Sequence, residues 1–464
     1  FNSFICSMIS SIKDFKNPFF IGIAGVGMSA IAQYLKGIGM EVSGSDRFFA
    51  PGEYNETKEK LEAESIHCFL QNGEGITDQT DLIVASTAIE DTVMEIQKAK
   101  ELGIPIIRRS ELLAMIALSK KTIAVGGTSG KSTTSAMLFD ILENAGLDPS
   151  IISGAGLTNL IKKGKIGNAK VGNGDWLVIE ADESDGSIVQ YKPEIGLLLN
   201  IDKDHQEIDE LMRVFGEFKK NSKKFIVNQS HPLARSLSQN KSHDFSTDEQ
   251  EAGYIATAFK QSGFNIQYSI LNTQFSIKTA GKHNMENALA ATAVANSIGV
   301  DLETCAAGLK GYEGIYRRFQ VYGQKKGVWL IDDYAHNPVK CASAIKACHP
   351  VAPKVIAWFQ PHGYKPTKFL RKEFVEEIAN SLRQDDEIWM SEIFYAGGTA
   401  VKDISANDLI NDLKALGKNA FFVEDRNDFV ASARPHFTGD CTILLMAARD
   451  PSLEQFAKET WERL

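Results

Sequence analysis

Thr122-Ile123-Ala124-Val125-Gly126-Gly127-Thr128-Ser129-Gly130-Lys131-Ser132-Thr133-Thr134 decides the fold of this chain. Thr122 and three apolar residues running into glycines read as a buried strand that ends in a tight loop. A helix is expected from about residue 132 to 144, with Gly146 as its stop. Successive backbone N–H groups and a helix N-terminus form a cradle for phosphate oxygens. In such a cradle Lys131 would reach the β- and γ-phosphates, and the Ser132 hydroxyl would sit on Mg²⁺. The strict pattern places a glycine five residues before Gly130; that position is Val125, so the loop is a variant.

The same arrangement of strand and polar loop recurs downstream. Trp176–Glu180 (WLVIE) runs into Glu180-Ala181-Asp182-Glu183-Ser184-Asp185, and residues 195–200 (IGLLLN) into Asn200-Ile201-Asp202-Lys203-Asp204-His205. Ligands of open α/β sheets bind at the carboxyl ends of strands. Clustered carboxylates there repel one another unless a cation joins them, and Mg²⁺ takes one or two carboxylates with phosphate oxygens and water. A solvated acidic loop is the plainer alternative. Gly281-Lys282-His283-Asn284-Met285-Glu286-Asn287-Ala288 precedes the helical stretch LAATAVANSIG. Helix caps do not require a histidine and two asparagines at this spacing, so these residues read as a site. Arg317-Arg318-Phe319, Asp332-Asp333-Tyr334-Ala335-His336-Asn337-Pro338 and Phe359-Gln360-Pro361-His362 follow around a third strand–helix unit that opens at Gly327. Its strands are VWLIDDY, KVIAWFQ, EIWM and CTILLM, with a helix near residues 340–348.

Near the N-terminus, Gly22-Ile23-Ala24-Gly25-Val26-Gly27-Met28-Ser29-Ala30 follows a short apolar run, with Asp46 about twenty residues on. Alone this would read as a dinucleotide loop, and a nicotinamide oxidoreductase is the rival class. That rival leaves the Lys131 loop unexplained. Strands alternating with helices imply wound, mostly parallel sheets. The 464 residues suit about three domains, with boundaries near 120 and 325. A net charge of −9 argues against a nucleic-acid partner. No apolar run reaches the roughly 18–20 residues of a membrane span. The opening FNSFICSMISSI reads as a structured lead-in. The six cysteines form no C-x-x-C pair, which fits a reducing cytoplasm and neither a zinc site nor a redox motif. Cys341 and Cys348, seven apart, read as small packed side chains on one helical face.

Taken in order, these motifs resemble the Mur ligase family across nearly the whole chain. GIAGVGMSAIA, SGSD (residues 43–46), IPIIRRSELL (residues 104–113), EADESD, GKHNMENA and FQPH look most like its alanine-adding branch. The resemblance implies an α/β protein of three domains. A Rossmann-like domain (1–120) would bind a UDP-sugar, a central ATPase domain (121–325) ATP, and a second Rossmann-like domain (326–464) the amine donor. It turns the first glycine loop into a UDP-sugar site formed by Gly25, Val26, Gly27, Met28, Ser29, Ser45, Asp46, Ser86 and Thr87. It gives ATP to Gly127, Thr128, Ser129, Gly130, Lys131, Ser132 and Thr133, with Asn284, Asn287, Arg318 and Asp333 as further contacts. Mg²⁺ falls to Ser132, Glu180 and His283, and catalysis to Lys131, Glu180, His205 and His283. His336, Asn337, His362 and Lys365 are left for the amine donor.

The implied reaction is ATP-dependent joining of an amino acid, L-alanine by resemblance, to the carboxylate of UDP-N-acetylmuramate through an acyl phosphate. The implied setting is peptidoglycan synthesis in the cytoplasm, by a monomer or homodimer. The departures concentrate in the last domain. The alanine-adding branch reads DYxHHP, FQPHRYTRT and GAGD; here the corresponding residues include Asn337, Gly363, Pro366 and Ala447-Ala448-Arg449-Asp450. Lys365 and Lys368 lie close to the lost arginines. DYAHNP is nearer to the murein-peptide-recycling members. L-alanine, a murein peptide or another amine donor therefore stay open, as does a non-catalytic UDP-sugar-binding role.

Overall fold

A computed structural model describes residues 9–86, 89–184, 186–203, 206–248, 251–395, 401–437 and 439–464. Three of its sheets are built mostly from parallel strands. The first has the order His67–Leu70, Ser43–Asp46, Pro18–Ile21, Leu82–Ala85, Ile106–Arg108, parallel throughout. PFFI and LIVA at its centre are buried at every position, as strands covered on both faces must be. The chain crosses to one side of Pro18–Ile21 and then to the other. Its carboxyl end is thus a topological switch point, the place where a doubly wound sheet opens a crevice. Gly22, at φ 79, makes the turn there, and the helix Val26–Gly37 starts from it.

The second sheet runs Lys224–Val227, Ile195–Leu198, Lys121–Gly126, Trp176–Glu180, Ser150–Ile152 in parallel, closed by the antiparallel edge Ala169–Lys170. Register sets Val125 beside Glu180 and Gly126 beside Leu198. The loop after Gly126 therefore lies between the acidic loop on one side and Asn200 on the other. The third sheet runs Gln320–Lys325, Val328–Asp333, Cys441–Ala447, Lys354–Gln360, Glu387–Met390, Asn419–Phe422, antiparallel only at its first edge.

By packing, the chain divides into two compact units, residues 1–255 with 287–313 and residues 256–286 with 314–464. In the first unit one apolar core, with Ile31 and Leu35 at one end and Leu177, Ile179 and Phe215 at the other, serves both sheets. Asn168 adds a buried polar tie there. Its amide donates to the Val26 carbonyl (2.8 Å) and the Ser29 hydroxyl (3.0 Å), while its oxygen accepts from Gln33 (2.7 Å).

The elements differ from the sequence reading in three places. The second strand starts at Ser43 and not at Glu41, so SGSD is itself the strand. The helix expected to follow GKHNMENA begins inside that motif, at Lys282, because Gly281 (φ 93) already makes the break. An antiparallel meander of Asn265–Ile270 and Thr273–Ile277 against the strand Tyr254–Ser262 was not foreseen. Its turns fall at Gly263 and Leu271, and the latter carries no turn signal despite its φ of 51. Cys341 and Cys348 are both enclosed on the helix Pro338–Cys348.

Trp358 anchors the third sheet, fully buried against Phe456 (4.7 Å between rings) with its Nε1 donating to the Ser391 hydroxyl at 3.0 Å. Trp358→Ala should remove roughly 3–5 kcal/mol of stability. Urea unfolding followed by circular dichroism measures this, and a loss under about 1 kcal/mol contradicts the packing.

Candidate active site

The phosphate loop leaves the central strand of the second sheet with two left-handed glycines, Gly127 (φ 137) and Gly130 (φ 88). A Cβ on Gly130 would stand 2.4 Å from Asn287 Oδ1, so glycine is required by space as well as by backbone. The helix Lys131–Asn144 has no side chain capping its start, which leaves its first amides directed at the loop. Asn200 braces the loop from the neighbouring strand: its Oδ1 accepts from Ser129 N (2.8 Å) and Thr128 Oγ1 (3.0 Å), and its Nδ2 donates to Ser129 O (3.1 Å). Thr128 Oγ1 in turn accepts from Asp202 N at 3.0 Å, and Thr134 donates to Asn287 at 3.2 Å. Thr133 is half-buried in the first helical turn.

Charge is concentrated here. Lys131 Nζ donates to Glu183 Oε2 at 2.6 Å and to the Gly127 carbonyl at 2.7 Å, with Asp182 Oδ1 at 4.0 Å. Burial disfavours the ammonium, but the carboxylates of Glu183, Asp182 and Glu180 outweigh it and raise the Lys131 pKa above the ordinary value. The cation that the acidic loop requires is thus supplied in part by Lys131. Ser132 Oγ donates to Glu180 Oε2 at 2.9 Å. The other oxygen of Glu180 accepts from Ser153 Oγ (2.8 Å) and Gly154 N (2.6 Å), which fixes the carboxylate beside the hydroxyl. Among the described residues no three His, Cys, Asp or Glu side chains converge as a metal cage. A hydroxyl, one oriented carboxylate and an adjoining phosphate cradle fit Mg²⁺, which keeps water and phosphate oxygens as ligands. His283 adjoins Gly281, and burial lowers its pKa to about 4, so it is a neutral imidazole at pH 7. Asn284 donates to Ala280 O (2.7 Å) and Thr279 Oγ1 (3.1 Å). His205 lies outside the described residues.

At the first switch point, Gly25 is the N-cap of Val26–Gly37 and offers no side-chain cap. Val26 is exposed, whereas Met28 is buried and Ser29 is engaged by Asn168. Ser45 is fully buried and donates to Glu95 at 3.1 Å. Asp46 accepts from Ala24 N (3.0 Å) and Phe48 N (3.1 Å), which shapes the loop. Ser86 is half-buried just past Leu82–Ala85, and Thr87 lies outside the described residues. Sequence reading passed over Arg109. A Cβ on Gly27 would meet Arg109 Cδ and Nη1 at 3.3 Å, so the guanidinium lies along the glycine loop, and its charge reaches Asp182. IPIIRRSELL contained the signal, but nothing in that stretch tells which of its two arginines turns inward. Glu183, Asn200 and Asp202 were passed over in the same way, inside motifs already noted.

The third sheet gathers a separate cluster at the carboxyl ends of three adjacent strands. The His336 ring stands edge-on to Tyr334 (5.5 Å) and 5.6 Å from His362, with its Nδ1 2.8 Å from Tyr334 O. Burial, then the charge of Lys340, keeps the His336 pKa well below the ordinary value. Asn337 is buried and its Oδ1 caps the helix Pro338–Cys348 through Lys340 N at 2.9 Å. Lys365 is exposed. Arg317 forks onto Asp332 (2.8 and 3.3 Å), Arg318 stacks over Tyr334 at 4.7 Å, and Asp333 accepts from Phe319 N at 2.6 Å.

Sequence models of three successive domains match the chain: the Mur ligase family catalytic domain at residues 19–121, the Mur ligase middle domain at 125–295 and the Mur ligase glutamate ligase domain at 317–449. The UDP-N-acetylmuramate–L-alanine ligase of Carboxydothermus hydrogenoformans is 34% identical over 449 residues, covering 92% of this chain and 93% of the relative. The chain belongs to the Mur ligase family.

The enzyme of the same name from Caulobacter vibrioides is 32% identical and covers 94% of each chain. The crystal structure of UDP-N-acetylmuramate–alanine ligase from Thermotoga maritima superposes with a TM-score of 0.77 at 25% identity, covering 96% of this chain and 98% of that one. A murein peptide ligase from Psychrobacter arcticus shares the fold at a TM-score of 0.65 and 20% identity. As a Mur ligase the protein is an ATP-dependent amide-bond-forming enzyme, and the dinucleotide reading of the first glycine loop loses its support.

In this Mur ligase the Gly130 position is the most exacting. Gly130→Ala places a Cβ against Asn287 and strains a left-handed residue by about 1 kcal/mol or more. Nucleotide titration by calorimetry should show ATP affinity falling at least about tenfold, the equivalent of 1.4 kcal/mol. Unchanged affinity would contradict the geometry of the loop.

Proposed function

We propose that this Mur ligase joins L-alanine to UDP-N-acetylmuramate at the expense of ATP, as its relatives' names describe for them. The observation that carries the reading is the meeting of Lys131, Ser132 and Glu180 at the carboxyl ends of adjacent strands, in a chain alignable with those relatives over nine-tenths of its length. Residues 1–120 hold the UDP-sugar, residues 121–325 ATP, and residues 326–464 the amine donor. The first-turn amides of Val26–Gly37 and the Arg109 guanidinium suit the diphosphate of a UDP-sugar.

A carboxylate oxygen of the muramyl substrate attacks the γ-phosphorus of ATP, and the bond to the bridging oxygen of ADP breaks. Lys131 follows the transferred phosphoryl as its charge spreads. Mg²⁺, held by Ser132 and Glu180, would supply further positive charge there. The acyl phosphate is then attacked by the neutral amine of the donor. The tetrahedral intermediate expels phosphate, and the amine proton is lost to a base or water. The protein's part is positioning and electrostatics. The enzyme works in the cytoplasm, a setting that suits its buried free thiols.

Lys131→Ala should lower phosphate release by at least about 100-fold, the usual effect of removing one transition-state charge partner. Near-normal release by that variant would overturn the assignment of the loop. Calorimetry should also find UDP-N-acetylmuramate binding to the free enzyme with no binding of NADH; the opposite pattern reverses the reading of the first glycine loop. In a phosphate-release screen, L-alanine should serve as donor. Turnover with a murein tripeptide alone would move the enzyme to the recycling class, which the absence of arginine at Gly363 and Pro366 favours.

A further inference from the structure

Arg449 holds an unusual backbone. It follows the strand Cys441–Ala447 with φ 65, a left-handed conformation that glycine adopts freely and a long side chain rarely does. The turn is over-determined on both sides. Asp450 N donates to Ala448 O at 2.9 Å, the Asp450 carboxylate binds Arg426 and Ser452, and Arg449 N donates to the Tyr334 hydroxyl at 3.3 Å. Strain held in place by its surroundings is characteristic of functional positions.

The side chain is exposed, and among the described residues its guanidinium makes no hydrogen bond or ion pair. The neighbouring arginines are engaged: Arg317 by Asp332, Arg426 by Asp450 and Gln360, Arg318 by the Tyr334 ring. Tyr334, which receives the Arg449 amide, packs against His336, and His336 faces His362. Arg449 therefore adjoins this cluster at the carboxyl ends of three adjacent parallel strands, with Met446 paired to both Asp333 and Phe359. That is where an open α/β sheet binds its ligand.

We propose that Arg449 receives the carboxylate of the amine donor. Its planar fork matches a carboxylate bidentately, which a lysine at position 365 cannot do. The donor is then an α-amino acid whose free carboxylate lies one carbon from the attacking amine, and Arg449 sets both its affinity and its orientation. The inference rests on the reading of the chain as a ligase that takes a free amino acid.

The test compares L-alanine with L-alaninamide, which lacks the carboxylate, in wild type, Arg449→Gly and Arg449→Lys. Arg449→Gly suits the left-handed backbone, so its Tm should equal or exceed that of wild type and misfolding cannot imitate the result. The expected outcome is a KM for L-alanine raised roughly 10- to 100-fold, as loss of a charged hydrogen-bonding partner implies. KM values for ATP and UDP-N-acetylmuramate should stay within about threefold, L-alaninamide kinetics should not change, and lysine should restore part of the loss. A glycine variant with unchanged KM for L-alanine, or an equal loss with L-alaninamide, overturns the role of Arg449 and leaves the ligase reading intact. If wild type uses another amino acid, the same comparison applies to that donor and its amide. A wild type that turns over no donor with a free α-carboxylate overturns both.

Discussion

A buried lysine ringed by carboxylates is the constraint on which the central site depends. Lys131 can be enclosed only because Glu183, Asp182 and Glu180 stand close enough to repay the lost hydration of its ammonium. Those carboxylates in turn can crowd the end of one strand only because the lysine enters from the next. The register of the second sheet makes the pairing unavoidable, since Val125 lies beside Glu180 and the phosphate loop begins two residues later. Fold and charge are therefore one problem. The parallel strands bring the two loops together, and the loops satisfy each other.

Much of this was legible in the sequence, and for a physical reason. Strands buried on both faces in a parallel sheet read as short apolar runs, so WLVIE, IGLLLN and CTILLM announced themselves. The residues that follow such strands must lie at the ligand-binding edge, which carried Lys131, Ser132, Glu180 and the His336–His362 pair to their places without coordinates. The features that escaped depend on distances between loops. Arg109 lies along Gly27, and Asn200 braces Ser129, through tertiary packing that no local pattern encodes. The start of the helix at Lys282 was missed because a polar motif was read as lying ahead of the helix it begins.

Asn337 shows a second limit. In sequence it stands where the alanine-adding branch has histidine, and so looked like a ligand. In the structure its oxygen caps Pro338–Cys348, a role that asparagine fills as one of the best capping residues. The substitution has a local structural return independent of any donor. Gly363 likewise suits its own backbone, at φ 74 before a short helix, but neither it nor Pro366 offers a cation. Recognition of the donor's carboxylate would then need a cation from elsewhere at the same sheet edge, and Arg449, just past the last strand, makes no ion pair among the described residues.

The charge balance of the central site also dictates how it is filled. Around one ammonium stand three carboxylates, so without ligand the pocket is negative. A nucleoside triphosphate adds several more negative charges, and at effective interior dielectric values two like charges 4 Å apart repel by about 4 kcal/mol. Lys131 cannot offset both its own carboxylates and the phosphates. Under the proposed mechanism two changes accompany nucleotide entry: a divalent cation arrives beside Ser132 and Glu180, and Lys131 exchanges at least part of its bond to Glu183 for the terminal phosphates. Glu183 then loses its partner while remaining enclosed, a cost that falls only if it is protonated or turns toward the arriving cation. On that mechanism metal and nucleotide would be coupled through this one carboxylate.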